Sequence, residues 1–129
     1  NVAMAGEVIE SDWANISGLT GIHQFSRIGA HAMVGGLSKI VKDVPPYVIA
    51  ARDPLTYEGI NSVGLNRRGF ESGKINELKE IYRVIFQERR NLTHALEFIY
   101  IHFERTLERD KILSFIRNSA RGIIKGCKE

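Results

Sequence analysis

Two adjacent arginines, Arg67 and Arg68, and a histidine set directly behind an aliphatic position, His23, are the residues of this chain best suited to chemistry. A guanidinium fork donates two parallel hydrogen bonds to one phosphate, so such a pair can grip a diphosphate, although for the two arginines alone a solvated basic turn is the default reading. If Ile22 points inward, His23 faces outward. There it either contacts a ligand in a cleft closed by a neighbouring subunit or is hydrogen-bonded within a packed interface. His31 also follows a repeat position and reads as an interface or surface residue, while His94 and His102 fall in helical segments as surface or boundary residues. Zinc needs three or four convergent ligands. Only His23 and His31 lie in the repeats, and their spacing does not stack them, so neither a catalytic metal nor another cofactor is expected.

The element that must position His23 is written in a ladder of residues six apart: Ile16, Ile22, Ile28, Val34 and Ile40. A second ladder of small residues, Thr20, Ser26, Ala32 and Ser38, runs beside it. Neither a period of 3.6 nor one of 2.0 accounts for this spacing. Together the ladders indicate a hexapeptide parallel β-helix, in which each aliphatic residue points into a narrow prism and stacks on its equivalents in adjacent coils. Backwards, the ladder meets Glu10, which implies an irregular coil or an outward glutamate. Forwards it meets Pro46, which cannot donate a strand hydrogen bond and is expected to end the ladder. Because the first residues are already in register, with no capping segment before them, a longer natural protein is expected.

From about residue 47 to 70 the sequence reads as an irregular connector rich in Gly, Asn and Pro, followed by helical periodicity. Ile75, Leu78, Ile81, Tyr82 and Ile85 share one face of a helix from about Ser72 to Glu88, with Lys79 and Arg83 on another. A second helix is expected near Thr93 as N-cap, turning Leu96, Ile99, Tyr100 and Phe103 inward. A third is expected from Asp110, with Leu113, Ile116, Ala120 and Ile124 as its stripe and Gly126 as its stop. The expected organisation is a β-helix over residues 1–50, a connector over 51–71 and a C-terminal α-helical bundle over 72–129.

The net charge of +3 is concentrated after residue 50, and a solvated helix surface accounts for it as well as an anionic ligand or acidic partner does. No aromatic and basic interleaving marks the repeats, so nucleic acid is not expected. No charged segment leads into an apolar stretch, and no apolar run reaches about 18 residues, so neither a signal peptide nor membrane insertion is expected. The single Cys127 excludes an intrachain disulfide and fits a reducing, cytoplasmic compartment.

The segments GIHQFSRIGAHAMVGG (21–36), KDVPPYVIA (42–50), GINSVGLNRRGF (59–70) and FIRNSARGIIK (115–125) resemble the UDP-N-acetylglucosamine O-acyltransferases of lipid A biosynthesis. The resemblance runs from about residue 2 to residue 125. It implies a homotrimer of left-handed β-helices with active sites between subunits. It also implies transfer of a 3-hydroxyacyl group from acyl carrier protein to the sugar 3-hydroxyl of UDP-N-acetylglucosamine. An alcohol attacking a thioester needs a positioned base, a histidine in that family. On the resemblance this base falls before Asn1, and a second family histidine is replaced by Glu7.

The resemblance further implies that His23, Gln24, Asn61, Arg67 and Arg68 contact the nucleotide sugar and that Gly36 leaves the acyl groove open. A tight corner is the alternative for Gly36. An acidic position is taken by Val63 and a histidine position by Pro54. Arg27, Lys39 and Lys42 are candidate contacts for an acidic carrier protein. Two other readings stand beside this one: another hexapeptide-repeat acyltransferase, N-acylating or coenzyme A-dependent, and a non-catalytic module for trimerisation and nucleotide-sugar binding.

Overall fold

The computed structural model describes residues 2–4, 9–10, 15–16, 20–22, 27–35, 39–40, 42–52, 55–87, 91–119 and 122–126. Eight short strands follow the hexads: β1 (Val2–Met4), β2 (Ile9–Glu10), β3 (Asn15–Ile16), β4 (Thr20–Ile22), β5 (Arg27–Ile28), β6 (Met33–Val34), β7 (Lys39–Ile40) and β8 (Val48–Ala51). They pair in parallel as three faces, β1-β4-β7, β2-β5 and β3-β6-β8. Met4 faces Ile22, Ile22 faces Ile40, Glu10 faces Ile28 and Ile16 faces Val34, so one coil is three hexads. The rungs are thus in backbone register, and Ile28, Val34 and Ile40 are fully buried. The backbone register holds at Ile9 and Glu10, which pair with Arg27 and Ile28; the rest of that coil lies outside the described residues.

The ladder does not end at Pro46. Ile28 faces Val44 and Val34 faces Ala50, both fully buried, so the last coil is two residues shorter than the others. The shortening falls between Ile40 and Val44, which displaces the next rungs from the hexad count and puts Pro45 and Pro46 at a buried corner. Proline suits that corner because it brings no N–H that would need a partner there. Gly29 lies against it: a Cβ on this residue would sit 2.3 Å from the Pro46 nitrogen and 2.6 Å from its Cα.

The connector is more regular than its composition implies. β8 turns back into β9 (Thr56–Ile60), its antiparallel neighbour, with a register irregularity at Ile49 and Ala50. A short helix, α1 (Ser62–Arg67), follows. Then come α2 (Ser72–Phe86), α3 (Leu92–His102), α4 (Leu107–Arg117) and a last strand, β10 (Lys125–Gly126), parallel to β9. α2 is the hub and touches α1, α3, α4 and β9. Its buried face carries Ile75, Leu78, Ile81, Tyr82, Val84 and Ile85. Buried Tyr82 donates its hydroxyl to the Pro46 carbonyl at 2.6 Å, tying the helices to the proline corner. Tyr57 of β9 stacks on Phe86 of α2 at 4.4 Å and 12°.

Three helical expectations change. α3 is capped by Asn91, whose Oδ1 accepts the His94 N–H at 2.9 Å; Thr93 lies inside the first turn. Leu96 and Ile99 are buried, but Tyr100 is 58% exposed, and Phe103 lies past the helix end, partly buried. α4 begins after Thr106, whose hydroxyl accepts the Arg109 N–H, and ends at Arg117. Ile124 is buried, but in the returning tail rather than in a helix. Gly122 has a φ of 81°, and Ile123 bridges Asp43 in parallel. The four-residue spacing of Ile116, Ala120 and Ile124 thus crosses a break; Ala120 lies outside the described residues.

Candidate functional site

α1 and its C-cap residue carry the arginine pair, and Asn61 at the start of the helix is bonded to Tyr47, next to the proline corner. The helix is short, and what sets its place is the residues at its two ends. Asn61, 8% exposed, accepts the Gly64 N–H at 3.3 Å and caps the helix, while its Nδ2 donates to the His31 carbonyl at 3.0 Å. Its own N–H donates to the Tyr47 carbonyl at 2.8 Å. Leu65 is the fully buried residue of the helix. At the other end Gly69, at φ 89°, turns the chain, and the Phe70 N–H returns to the Leu65 carbonyl at 3.0 Å.

Arg67 lies in the last turn of α1 and Arg68 is its C-cap residue; both are exposed. A cation there is favoured by the helix dipole with or without a ligand. The structure thus brings Asn61, Arg67 and Arg68 onto one short element, with most of the Asn61 amide committed inside the protein. Val63 on the same helix is 65% exposed and presents no polar group. His23, Gln24 and Gly36, like Glu7 and Pro54, lie outside the described residues.

His31 is not a plain surface residue. It is half-buried, its ring stacked on Tyr47 at 5.7 Å and 14° and set edge-on to Phe70 at 5.1 Å. Sequence reading passed over Tyr47 and Phe70, although both lie inside the quoted motifs. Burial, and secondarily the negative charge of Glu108, holds the Tyr47 hydroxyl above its ordinary range, so it stays neutral.

Arg27 is held internally: its guanidinium lies 4.1 Å over the Phe115 ring and donates to the Phe115 carbonyl at 3.2 Å. His94 and His102 are exposed on α3. A separate cleft of about 380 Å³ lies between α3 and α4, where Arg105, Arg109, Asp110 and Arg117 surround Tyr100. Its buried Arg109 bonds Asp110 and the carbonyls of Tyr100 and Phe103, and that pairing holds the Asp110 carboxyl below its usual range. Among the described residues no group of three or more His, Cys, Asp or Glu is placed to hold a metal ion, and no helix is long and apolar enough to cross a membrane.

Residues 43–124 match the family model described as UDP-N-acetylglucosamine O-acyltransferase, domain 2. Curated relatives named acyl-[acyl-carrier-protein]–UDP-N-acetylglucosamine O-acyltransferase include one from Thiobacillus denitrificans, 37% identical over 125 residues, and one from Burkholderia mallei, 40% identical over 129. Each alignment covers 97% of this chain and 48% or 49% of the relative, so the chain spans about half the length of the curated relatives it matches. The solved UDP-N-acetylglucosamine acyltransferase from Bacteroides fragilis superposes with a TM-score of 0.92 at 42% identity, covering 96% of this chain and 49% of that one. The enzyme from Francisella novicida superposes at 0.91 with 34% identity, over 96% and 46%. With the strand register, the proline corner and the arginine-bearing helix all in the region that these relatives share, the chain belongs to the UDP-N-acetylglucosamine O-acyltransferase family.

Proposed function

We propose that this chain is part of an enzyme that moves a 3-hydroxyacyl group from the thioester of acyl carrier protein to the 3-hydroxyl of UDP-N-acetylglucosamine, the first step of lipid A biosynthesis. The observation that carries the reading is the match along nearly the whole chain to relatives named for that reaction. In this reading Arg67 and Arg68 grip the diphosphate with charge-assisted hydrogen bonds. Asn61 holds their helix and keeps limited spare capacity for the nucleotide. His23 and Gln24 meet the sugar nucleotide, and Gly36 leaves room for the acyl chain. The sugar hydroxyl loses its proton to a histidine base in coils preceding Asn1, and backbone N–H groups of a coil stabilise the thioester oxyanion. No cofactor is required.

The working form is a cytoplasmic homotrimer of left-handed β-helices, each followed by a bundle of α2, α3 and α4, with sites in the clefts between subunits. Neither nucleic acid nor membrane insertion has a part in it. The test compares this chain with one extended through the upstream coils, measuring UDP-N-acetylglucosamine binding and acyl transfer from carrier protein and from coenzyme A. Carrier-dependent transfer by the extended chain alone is the expected result. Transfer by the 129 residues alone sinks the upstream base. A preference for coenzyme A thioesters favours a different acyltransferase of the same architecture, and binding with no transfer by either chain favours a non-catalytic module.

A further inference from the structure

The holds on the two ends of α1 converge on the same pair of residues. At its start, Asn61 bonds the carbonyls of His31 and Tyr47. Just past its end, Phe70 meets the rings of His31, at 5.1 Å, and of Tyr47, at 6.1 Å. The two rings also stack on each other, and each residue has a left-handed backbone, φ 59° for His31 and 71° for Tyr47. Non-glycine residues persist in that region only when their surroundings over-determine them, at a cost of about 1–3 kcal/mol each. Tyr47 is 2% exposed and its N–H is bonded to the Ala30 carbonyl, so it is fixed to the β-helix. The His31 ring is thus the piece between a rigid corner and the segment that carries the arginines.

We propose that His31 is a positioning residue for a nucleoside-diphosphate ligand: wedged between Tyr47 and Phe70, its ring fixes the orientation of α1 and so the placement of Arg67 and Arg68. This rests on the reading of those arginines as the diphosphate grip. A helix of six residues does not hold itself, since isolated helices below about 12 residues are marginal in water. Its orientation therefore comes from Asn61, Leu65 and Phe70. A bidentate grip on phosphate needs its groups held within about 0.5 Å, so a small tilt of α1 reaches the ligand before it unfolds the protein.

The experiment measures the Kd for UDP-N-acetylglucosamine, with a melting curve alongside, on the whole protein that contains this chain. His31→Asn removes the ring but keeps a residue that tolerates left-handed φ. Its expected effect is about tenfold weaker binding, with no further loss when it is combined with Arg67→Ala and Arg68→Ala. Phe70→Leu, which removes the other ring, should act in the same way, and Phe70→Tyr should restore affinity; these two carry the test if His31→Asn does not fold. A lowered melting point with unchanged Kd, or losses that add in full to those of the arginine variants, overturns the positioning role. If the double arginine variant binds like the unaltered protein, the diphosphate reading falls and this inference with it. That outcome is distinct from one in which the arginines matter and His31 does not.

Discussion

Gly29 and Tyr82 both meet the proline corner, and each makes a sharp demand. A methyl at Gly29 would collide with the backbone atoms of Pro45 and Pro46, which have no rotamer with which to retreat. Gly29→Ala should therefore cost about 1–3 kcal/mol by urea unfolding, the range of overpacked interiors. An unchanged midpoint would mean that the corner moves. Tyr82→Phe keeps the ring and strands the buried Pro46 carbonyl, with an expected loss of about 1–3 kcal/mol. Tyr57 gives a pH dependence: burial pushes its hydroxyl up to about 12. The unfolded hydroxyl ionises near 10, so the folded state holds its proton to higher pH. That stabilisation is complete below about pH 10 and is lost as the pH rises through about 12. Urea midpoints between pH 9 and 12 should fall less steeply in Tyr57→Phe than in the parent, and equal slopes would refute the assignment.

Among the elements, α3 offers a choice between two caps. Asn91→Ala removes the bond to the His94 N–H and should destabilise by about 1 kcal/mol, whereas Thr93→Ala, exposed inside the first turn, should stay within about 0.5 kcal/mol. The opposite order would move the cap to Thr93. Both residue types cap helices, which is why the sequence left the start two residues uncertain. The β-helix was legible because its spacing is a property of neighbouring hexads, each repeating the same inward position. The last coil was not, because its loss of two residues shifted Val44 and Ala50 off the count just where two prolines suggested an end. The arginine pair stood out as residue types side by side. The amide and rings that hold its helix did not, since His31 and Asn61 are thirty positions apart and meet only after folding.

The whole molecule closes the β-helix with its own tail, and Asp43 is the joint. Its carboxylate, buried to 1% exposure, accepts the Arg27 N–H at 2.8 Å and the Ser119 hydroxyl at 2.6 Å. Its backbone bonds both sides of the returning strand, accepting from the Ile124 N–H and donating to the Gly122 carbonyl. The chain then adds β10 beside β9, so the sheet β10-β9-β8-β6-β3 joins Lys125 and Gly126 of the tail to the coils of the β-helix. A solenoid end left open would expose its stacked core, and the tail together with α2 covers that end. Asp43→Ala leaves the part-buried Arg27 N–H without its acceptor and frees Ser119, while the main-chain bonds to Gly122 and Ile124 remain. The expected result is a loss of about 1–3 kcal/mol by urea unfolding, with faster amide exchange at Ile124 and in β10 than in α2 or β6. Ser119→Ala should reproduce the local exchange with a smaller global loss. Uniformly faster exchange across all elements would show instead that the tail and the β-helix open as a single unit.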